Sequence, residues 1–253
     1  MDLQLAGRRA LVTGGTKGIG RCIVEALAAE GVAVAFCART ESEVEKAVEE
    51  LTGAGATVVG GAVDVADGPS LAAWVADAAT ELGGLDVVVP NVSALAIGSG
   101  EDNWRAGFEV DLMHTVRTVD AAMPFLADSD AASIVVVSSV SGREIDFAAP
   151  AYGTMKAALV HYTQGLAYQL AGKGIRANTV SPGNVYFDGG IWNRVETGDP
   201  ELFSTALGLN PTGRMARPEE IAYAVTMLAS PRASFISGTN LVVDGALTRG
   251  VQL

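Results

Sequence analysis

Short apolar segments rich in β-branched residues recur along the chain, separated by longer segments in which apolar positions repeat at helical spacing. Each apolar segment has the length of a buried strand and is too short for a helix. The predicted strands are 10–13, 32–38, 57–63, 85–89, 133–138, 176–180 and 241–243. Helical periodicity is clearest at 19–30, 41–51, 71–82 and 152–170. Strands and helices therefore alternate.

This alternation indicates the fold class. Strands that are apolar on both faces are typical of a parallel sheet covered by helices on both sides. We predict an α/β, Rossmann-type doubly wound sheet of about seven strands, in one domain over residues 1–253. Ligands of such sheets bind beyond the carboxyl ends of the strands. The segment 184–212 combines Gly, Pro and aromatic residues with little periodicity, and we predict that it forms a lid.

Charge and cysteine content narrow the classes of partner. A formal net charge of −12 disfavours nucleic acids and anionic membranes, because both are bound mainly by cationic side chains. We expect a small-molecule substrate. The charged residues within 1–9 do not fit a signal peptide, and no apolar run reaches the roughly 18 residues of a membrane span, so a cytoplasmic protein is expected.

Cys22 and Cys37 lack metal-ligand spacing; we predict two core residues and no metal site.

A glycine-rich segment follows the first predicted strand and precedes an amphipathic helix. It reads Thr13-Gly14-Gly15-Thr16-Lys17-Gly18-Ile19-Gly20. Glycines allow positive φ and close approach of a phosphate, and the helix N-terminus offers free N–H groups and a positive dipole. A structural turn is the alternative, but the order of strand, loop and helix favours a dinucleotide site.

A second group of residues carries candidate chemistry. Ser139 follows the fifth predicted strand, and Tyr152 and Lys156 lie four residues apart on a predicted helix. Residues at this spacing share a helix face, so the ammonium lies beside the phenol and favours its phenolate form. A Tyr-x-x-x-Lys pattern alone is often accidental. Its combination with the glycine loop, Ser139 and Pro182-Gly183 after the sixth strand is much more specific.

Together these motifs resemble the classical short-chain dehydrogenase/reductase family, in particular its 3-oxoacyl-reductase-like members. The glycine spacing, the thirteen-residue interval from Ser139 to Tyr152, Pro182-Gly183 and the segment Gly238–Gly245 carry a resemblance that spans nearly the whole chain. The resemblance implies hydride transfer between a nicotinamide cofactor and an alcohol/carbonyl pair. It implies that Tyr152 exchanges the proton, Lys156 orients Tyr152 and binds the nicotinamide ribose, and Ser139 hydrogen-bonds to the substrate oxygen.

The end of the second predicted strand bears on the cofactor. Ala38 stands where NAD-dependent members of the family carry an acid, whereas Arg39 and Lys17 can bind a 2′-phosphate. NADP(H) is expected; an NAD(H)-dependent dehydrogenase is the alternative. Asp64 and Val65 resemble the family's adenine contact. The expected cofactor-binding residues are Gly14, Thr16, Lys17, Gly18, Ile19, Gly20, Arg39, Asp64, Val65, Asn91, Tyr152, Lys156, Pro182, Gly183 and Val185.

Three positions depart from the family pattern. The family's Asn-Asn-Ala-Gly appears as Pro90-Asn91-Val92-Ser93, the threonine after Pro-Gly is replaced by Phe187, and the catalytic Asn is replaced by Asp111. We count Asp111 with Ser139, Tyr152 and Lys156 among the catalytic residues. The resemblance implies a water between this position and the lysine, which an Asp can keep with an altered pH dependence. The alternative is a local helix contact.

The predicted lid indicates the substrate class. It holds Tyr186, Phe187, Trp192 and Phe203, which favour an apolar, ring-containing or medium-chain substrate, although they could also be core residues. Expected substrate contacts are Ser139, Tyr152, Tyr186, Phe187 and Trp192. A carrier-protein thioester is less expected, because the turn before the fifth strand reads Asp128-Ser129-Asp130, without basic residues.

The resemblance also implies a homotetramer, or at least a dimer, in which the helices around 104–126 and 152–170 pair across a two-fold axis. A nucleotide-binding sensor without turnover is the alternative from another functional class, and a lyase or epimerase is a third possibility.

We predict that His114 and His161 are structural and that the acidic run Glu41 to Glu50 is a solvated helix face.

Overall fold

The computed structural model describes residues 2–148 and 150–250. Seven strands form one parallel sheet in the order β3-β2-β1-β4-β5-β6-β7. The strands are β1 (Arg9–Thr13), β2 (Ala33–Ala38), β3 (Val58–Ala62), β4 (Val87–Val89), β5 (Ser133–Val137), β6 (Arg176–Pro182) and β7 (Asn240–Val243). All seven predicted strands are present, with ends shifted by at most two residues, so the predicted α/β doubly wound sheet is confirmed.

Helices cover both faces of the sheet. They are α1 (Gly18–Ala29), α2 (Glu41–Gly53), α3 (Gly68–Leu82), α4 (Glu101–Ala106), α5 (His114–Leu126), α6 (Ala151–Leu170), α7 (Ile191–Gly198), α8 (Pro200–Gly208) and α9 (Pro218–Ala229). One apolar cluster joins the sheet to α1, α2 and α9, and the other joins it to α3, α5 and α6. Among the described residues, no helix is long and apolar enough to cross a membrane.

The sheet topology determines where a ligand can bind. β1 lies between β2 and β4, so the chain winds away from β1 in opposite directions on its two sides. The loops after β1 and β4 therefore separate and leave a crevice beyond the carboxyl ends of these strands. Both sequence motifs, the glycine loop after β1 and Ser139 after β5, lie along this edge of the sheet.

The segment 184–212 is more regular than its sequence indicates. It contains α7 and α8, and it packs around a small apolar cluster that includes Trp192, Ala206 and Met215. A bridge between Val185 and Ala216 closes the segment at its base. The periodicity is hidden because the two helices have only 8 and 9 residues and are divided at Asp199.

The cysteines occupy the core as predicted. Cys37 is buried in β2 within the apolar cluster that includes α3, α5 and α6, and Cys22 is partly buried against the other cluster. Burial raises the pKa of each thiol to about 12. Both thiols are therefore protonated and weakly nucleophilic at neutral pH.

His114 is fully buried and lies beside the last residue of β1. Its Nε2 lies 2.9 Å from the hydroxyl of Thr13, and its Nδ1 lies 2.9 Å from the carbonyl oxygen of Val110. The carbonyl oxygen of Val110 can only accept, so Nδ1–H donates to it, and in the neutral imidazole Nε2 then accepts the proton of the Thr13 hydroxyl. The backbone N–H of Asn91 donates to the same Thr13 oxygen. The second histidine, His161, is exposed on α6.

This burial makes stability depend on pH. Burial lowers the pKa of His114 to about 4, below its ordinary value of 6.5. The unfolded chain binds more protons between these two values, so the free energy of unfolding falls as pH falls from 6.5 toward 4. We expect His114 to contribute a loss of about 2 kcal/mol between pH 7 and pH 5 in urea denaturation.

The matched comparison uses the two histidines of the chain. His114→Gln should remove this part of the pH dependence, whereas His161→Gln, which leaves the buried imidazole in place, should retain it. Equal slopes in both variants and the wild type would contradict the assignment.

Candidate active site

The glycine loop connects β1 to α1 in a tight turn. Gly14 and Gly18 have φ values of +75° and +57°, which favour glycine, and a side chain at Gly20 would place its Cβ 2.0 Å from the carbonyl oxygen of Gly14. Lys17 precedes α1 in an extended conformation. Within residues 2–148 and 150–250, no side chain caps this helix, so its first N–H groups can bind an anion.

A cavity of about 950 Å³ follows the carboxyl ends of the strands. Lys17 and Arg39 lie at one end of its lining, and Ser139 and Tyr152 lie in the part of the wall formed after β5. The predicted cofactor residues in its wall are Gly14, Thr16, Lys17, Ile19, Gly20, Arg39, Val65, Asn91, Tyr152, Pro182, Gly183 and Val185. The cavity is large enough for a dinucleotide and a small substrate.

Three other residues predicted to bind cofactor are not part of the cavity wall. Gly18 is covered by the ring of Phe187, because a Cβ on Gly18 would come within 2.5 Å of that ring. Lys156 is buried. Asp64 is exposed, and its carboxylate accepts the backbone N–H of Ala66 at 3.0 Å. One oxygen of Asp64 is thus already used by its own turn.

The end of β2 carries the positive charge of Arg39. Arg39 is exposed on the cavity wall and makes no ion pair with any described acidic residue. Lys17 lies 3.8 Å from the carboxylate of Glu43. Ala38 presents a methyl group where a carboxylate would repel a phosphate. This end of the cavity therefore suits an anionic group.

Three predicted catalytic residues converge after β5. Ser139 follows this strand, Tyr152 is the second residue of α6, and Lys156 lies one helical turn later. The Nζ of Lys156 lies 5.5 Å from the centroid of the Tyr152 ring and donates to the carbonyl oxygen of Val137 at 3.3 Å. Ser139 and Tyr152 line the cavity, whereas Lys156 is only 2% exposed. The ammonium is thus fixed under the phenol.

Asp111 contacts the predicted catalytic residue Lys156 directly. It lies in a π-helical segment, Gly107–Met113, between α4 and α5, and it is fully buried. One carboxylate oxygen lies 3.2 Å from the Nζ of Lys156, and the other accepts the backbone N–H of Ala94 at 3.1 Å. π-Helical turns occur often at functional sites. The contact is a direct ion pair between two buried side chains, and it corrects the water-mediated link to the lysine that the resemblance implies.

Sequence reasoning also missed two residues beside Ser139. The hydroxyl of Ser141 donates to Asp146 at 2.6 Å, and the hydroxyls of Ser139 and Ser141 lie 3.3 Å apart. The backbone N–H of Ser141 donates to Ser139 Oγ at 3.2 Å. Both residues line the cavity. The available signal was a second serine two positions after the first, followed by an acid before the next helix.

The aromatic residues of the 184–212 segment take different positions. Phe187 and Trp192 line the cavity, and Trp192 packs edge-on against Phe147 with 5.7 Å between ring centroids. Tyr186 differs from the prediction that it contacts substrate. Its hydroxyl donates to Glu196, and its ring packs against Phe203 at 6.0 Å. We correct the prediction for Tyr186, because its side chain belongs to the packing of the segment.

A doubly wound sheet with a glycine loop and a Ser–Tyr–Lys group defines a nicotinamide-dependent oxidoreductase. The family model described as enoyl-(acyl carrier protein) reductase matches residues 14–248. The isoepoxydon dehydrogenase patN of Penicillium expansum is 40% identical over 98% of this chain and 97% of its own. The 3-oxoacyl-[acyl-carrier-protein] reductase FabG of Vibrio cholerae is 31% identical over 97% and 99%.

Solved structures agree with these sequence matches. A Serratia marcescens short-chain dehydrogenase/reductase, solved as a double mutant, superposes with a TM-score of 0.89 at 32% identity, over 96% of this chain and 98% of the other. The chain belongs to the short-chain dehydrogenase/reductase family, and it is an oxidoreductase that uses a nicotinamide cofactor.

Proposed function

We propose that the chain is a single catalytic domain that transfers a hydride between NADP(H) and an apolar alcohol/ketone substrate. The observation that carries the proposal is one cavity whose wall includes Arg39, after β2, and Ser139 and Tyr152, beyond β5, toward opposite ends of the row of strands. The glycine loop lies between these ends along the sheet edge and offers the N–H groups of α1 to a diphosphate. The names of the relatives with 40% and 39% identity, isoepoxydon dehydrogenases, support alcohol oxidation.

The catalytic side chains divide the proton chemistry between them. Tyr152 removes the proton of an alcohol oxygen during oxidation and returns it during reduction. Lys156 stabilises the phenolate through its positive charge, and Asp111 holds the ammonium in place. Ser139 hydrogen-bonds to the substrate oxygen. The nicotinamide, when bound, supplies the hydride chemistry.

The proposed preference for NADP(H) is tested at Arg39. The wild type should use NADPH more efficiently than NADH. Arg39→Asp should lower kcat/KM for NADPH by about ten- to a hundredfold, because it replaces a charge-assisted hydrogen bond with repulsion of the 2′-phosphate. Steady-state kinetics with both cofactors measures the change.

Arg232→Asp makes the same change of charge on an exposed residue outside the cavity and should leave the cofactor preference unaltered. A wild-type enzyme that used NADH at least as efficiently as NADPH would contradict the NADP(H) assignment while leaving the oxidoreductase activity intact.

The proposed substrate class rests on the apolar part of the cavity wall. Besides Phe187 and Trp192, this wall includes Leu95, Ile97, Ile145, Phe147, Ile191, Leu202 and Leu209. A panel of cyclic and medium-chain secondary alcohols and ketones tests the assignment, and turnover of ring-containing members is expected. NADPH binding without turnover on the whole panel would instead support a nucleotide-binding sensor.

Carrier-protein thioesters, assayed beside the same panel, test a second class of substrate. The turn before β5 uses its polar groups internally, since Asp130 pairs with Arg8 and Ser129 donates to Asp86 at 2.6 Å. We therefore expect free ketones to be substrates. High turnover of carrier thioesters with none of free ketones would overturn this part of the proposal.

We also propose a homotetramer. The helical region 101–126 and α6 expose Phe108 and Tyr168, with 44% and 89% of their surface accessible, and pairing of these helices between two copies would cover them. Light scattering at micromolar concentration should give a mass of four chains. A monomeric mass would contradict the proposal.

A further inference from the structure

We infer that Leu95 is a specificity-determining residue, held in a left-handed backbone conformation so that its side chain contacts the apolar part of a large substrate. The inference rests on the proposed function and deepens it, because it assigns the discrimination between large and small substrates to one side chain. Leu95 has no part in the transfer of the proton or the hydride.

The backbone of Leu95 is strained. Its φ of +48° lies in the left-handed region, which glycine and asparagine tolerate and which residues with longer side chains rarely adopt. Among the described residues other than glycine, only Gln4 and Ala246 share a positive φ. Of these three, Leu95 alone lies in the cavity wall. Such a conformation persists where surrounding contacts hold it, and it is frequent at ligand sites.

Three hydrogen bonds hold this conformation in the 93–97 segment, which follows β4. The backbone N–H of Leu95 donates to the hydroxyl of Ser93 at 3.1 Å. Its carbonyl oxygen accepts the backbone N–H of Ile97 at 2.8 Å. The N–H of the preceding residue, Ala94, donates to the carboxylate of Asp111 at 3.1 Å. The position of Leu95 is therefore fixed from both sides.

The contact with Asp111 places the segment near the predicted catalytic residues. The other oxygen of this carboxylate lies 3.2 Å from the Nζ of Lys156, and that Nζ lies 5.5 Å from the centroid of the Tyr152 ring. Leu95 and Tyr152 line the same cavity. A substrate whose oxygen is bound at Tyr152 can thus place its apolar part against Leu95.

The exposure of Leu95 favours contact with a ligand over a role in the core. The residue is 40% exposed, whereas leucines of the core such as Leu11 and Leu159 are buried. Full burial of the side chain therefore does not offset the strain of the backbone in the free protein. A bound substrate would remove the remaining apolar surface from water, and a larger apolar substrate would cover more of it.

Two substitutions separate the side chain from the backbone. Leu95→Ala and Leu95→Gly both remove the apolar contact, but only glycine relieves the left-handed backbone. Where φ is negative, glycine in place of alanine lowers stability, so the opposite order identifies a left-handed residue. Gln4→Ala and Gln4→Gly are the matched controls, because Gln4 has a φ of +56°, is exposed and lies outside the cavity wall.

Urea denaturation and steady-state kinetics measure the two effects. At both positions, the glycine variant should have a higher denaturation midpoint than the alanine variant. The ratio of kcat/KM for the largest to that for the smallest ketone of the panel should fall by about five- to fiftyfold in both Leu95 variants, because an apolar contact is lost. The ratio should stay unchanged in both Gln4 variants, and KM for NADPH in all four. A loss of folded enzyme would lower both kcat/KM values equally and leave the ratio unaltered.

A wild-type ratio in both Leu95 variants, with or without a change in KM for NADPH, would overturn the inference and leave the oxidoreductase activity standing. A Leu95→Ala variant more stable than Leu95→Gly would also overturn it, since the backbone would then not be left-handed. A wild type that turns over no member of the panel would overturn the proposed function first, and the inference with it.

Discussion

Replacing Tyr152 by Phe should lower kcat by about a hundred- to ten-thousandfold, the usual contribution of a general acid or base. The substitution removes the phenolic oxygen that we propose takes the proton from the alcohol, and it leaves the ring and its contact with Lys156, whose Nζ lies 5.5 Å from the ring centroid. The fold and the cofactor end of the cavity should therefore be unaffected. Steady-state turnover together with titration of NADPH fluorescence separates loss of chemistry from loss of binding.

Tyr162 provides a matched control on the same helix. It lies ten residues further along α6, and burial raises the pKa of its phenol, so it stays protonated. Tyr162→Phe should keep turnover near that of the wild type. If Tyr152→Phe retained wild-type kcat, the proton would have to be transferred by another group, and the proposed roles of Ser139 and Lys156 would need revision as well.

Replacing Asp111 by Leu should lower kcat by about a hundredfold or more and the free energy of unfolding by about 3 kcal/mol, because it leaves a buried ammonium without its counter-ion. An unpaired Lys156 would lose its proton or leave its position, and Tyr152 would lose the charge that stabilises its phenolate. Turnover and urea denaturation measure the two effects.

Asp111→Asn should keep turnover within about tenfold of the wild type, because an amide has nearly the same shape and its oxygen can accept from Lys156. Loss of the negative charge leaves the site more positive, so the rise of alcohol oxidation with pH should move to lower pH. Glu109→Gln removes a charge from the same π-helical segment, where Glu109 pairs with Arg117 near the surface, and should change neither property. An Asp111→Leu variant with wild-type turnover and pH profile would exclude a catalytic part for Asp111.

The sheet was predictable because parallel strands covered on both faces must be apolar at almost every position. β5 is buried at all five positions, and its sequence pattern shows this without ambiguity. The 184–212 segment was harder to predict. Its helices are short and carry small apolar clusters, so periodicity over 8 or 9 residues cannot be distinguished from an irregular loop.

The candidate site was predictable where its geometry is local. Tyr152 and Lys156 share a helix face, and Gly14 to Gly20 form one turn, so spacing alone places them. The ion pair between Asp111 and Lys156 joins residues 45 positions apart through a π-helical segment, and no periodic pattern encodes that turn. The substrate contact expected for Tyr186 was wrong because the concentration of aromatic residues in one segment does not determine which of their side chains face the cavity.

The contact between Phe187 and Gly18 limits how this chain can vary. Any side chain at position 18 would overlap the Phe187 ring, and its positive φ already disfavours other residues. A smaller residue at position 187 would relieve the overlap while exposing the glycine loop to solvent. Substitutions at position 18, where α1 begins, and at position 187, which follows β6, are therefore coupled.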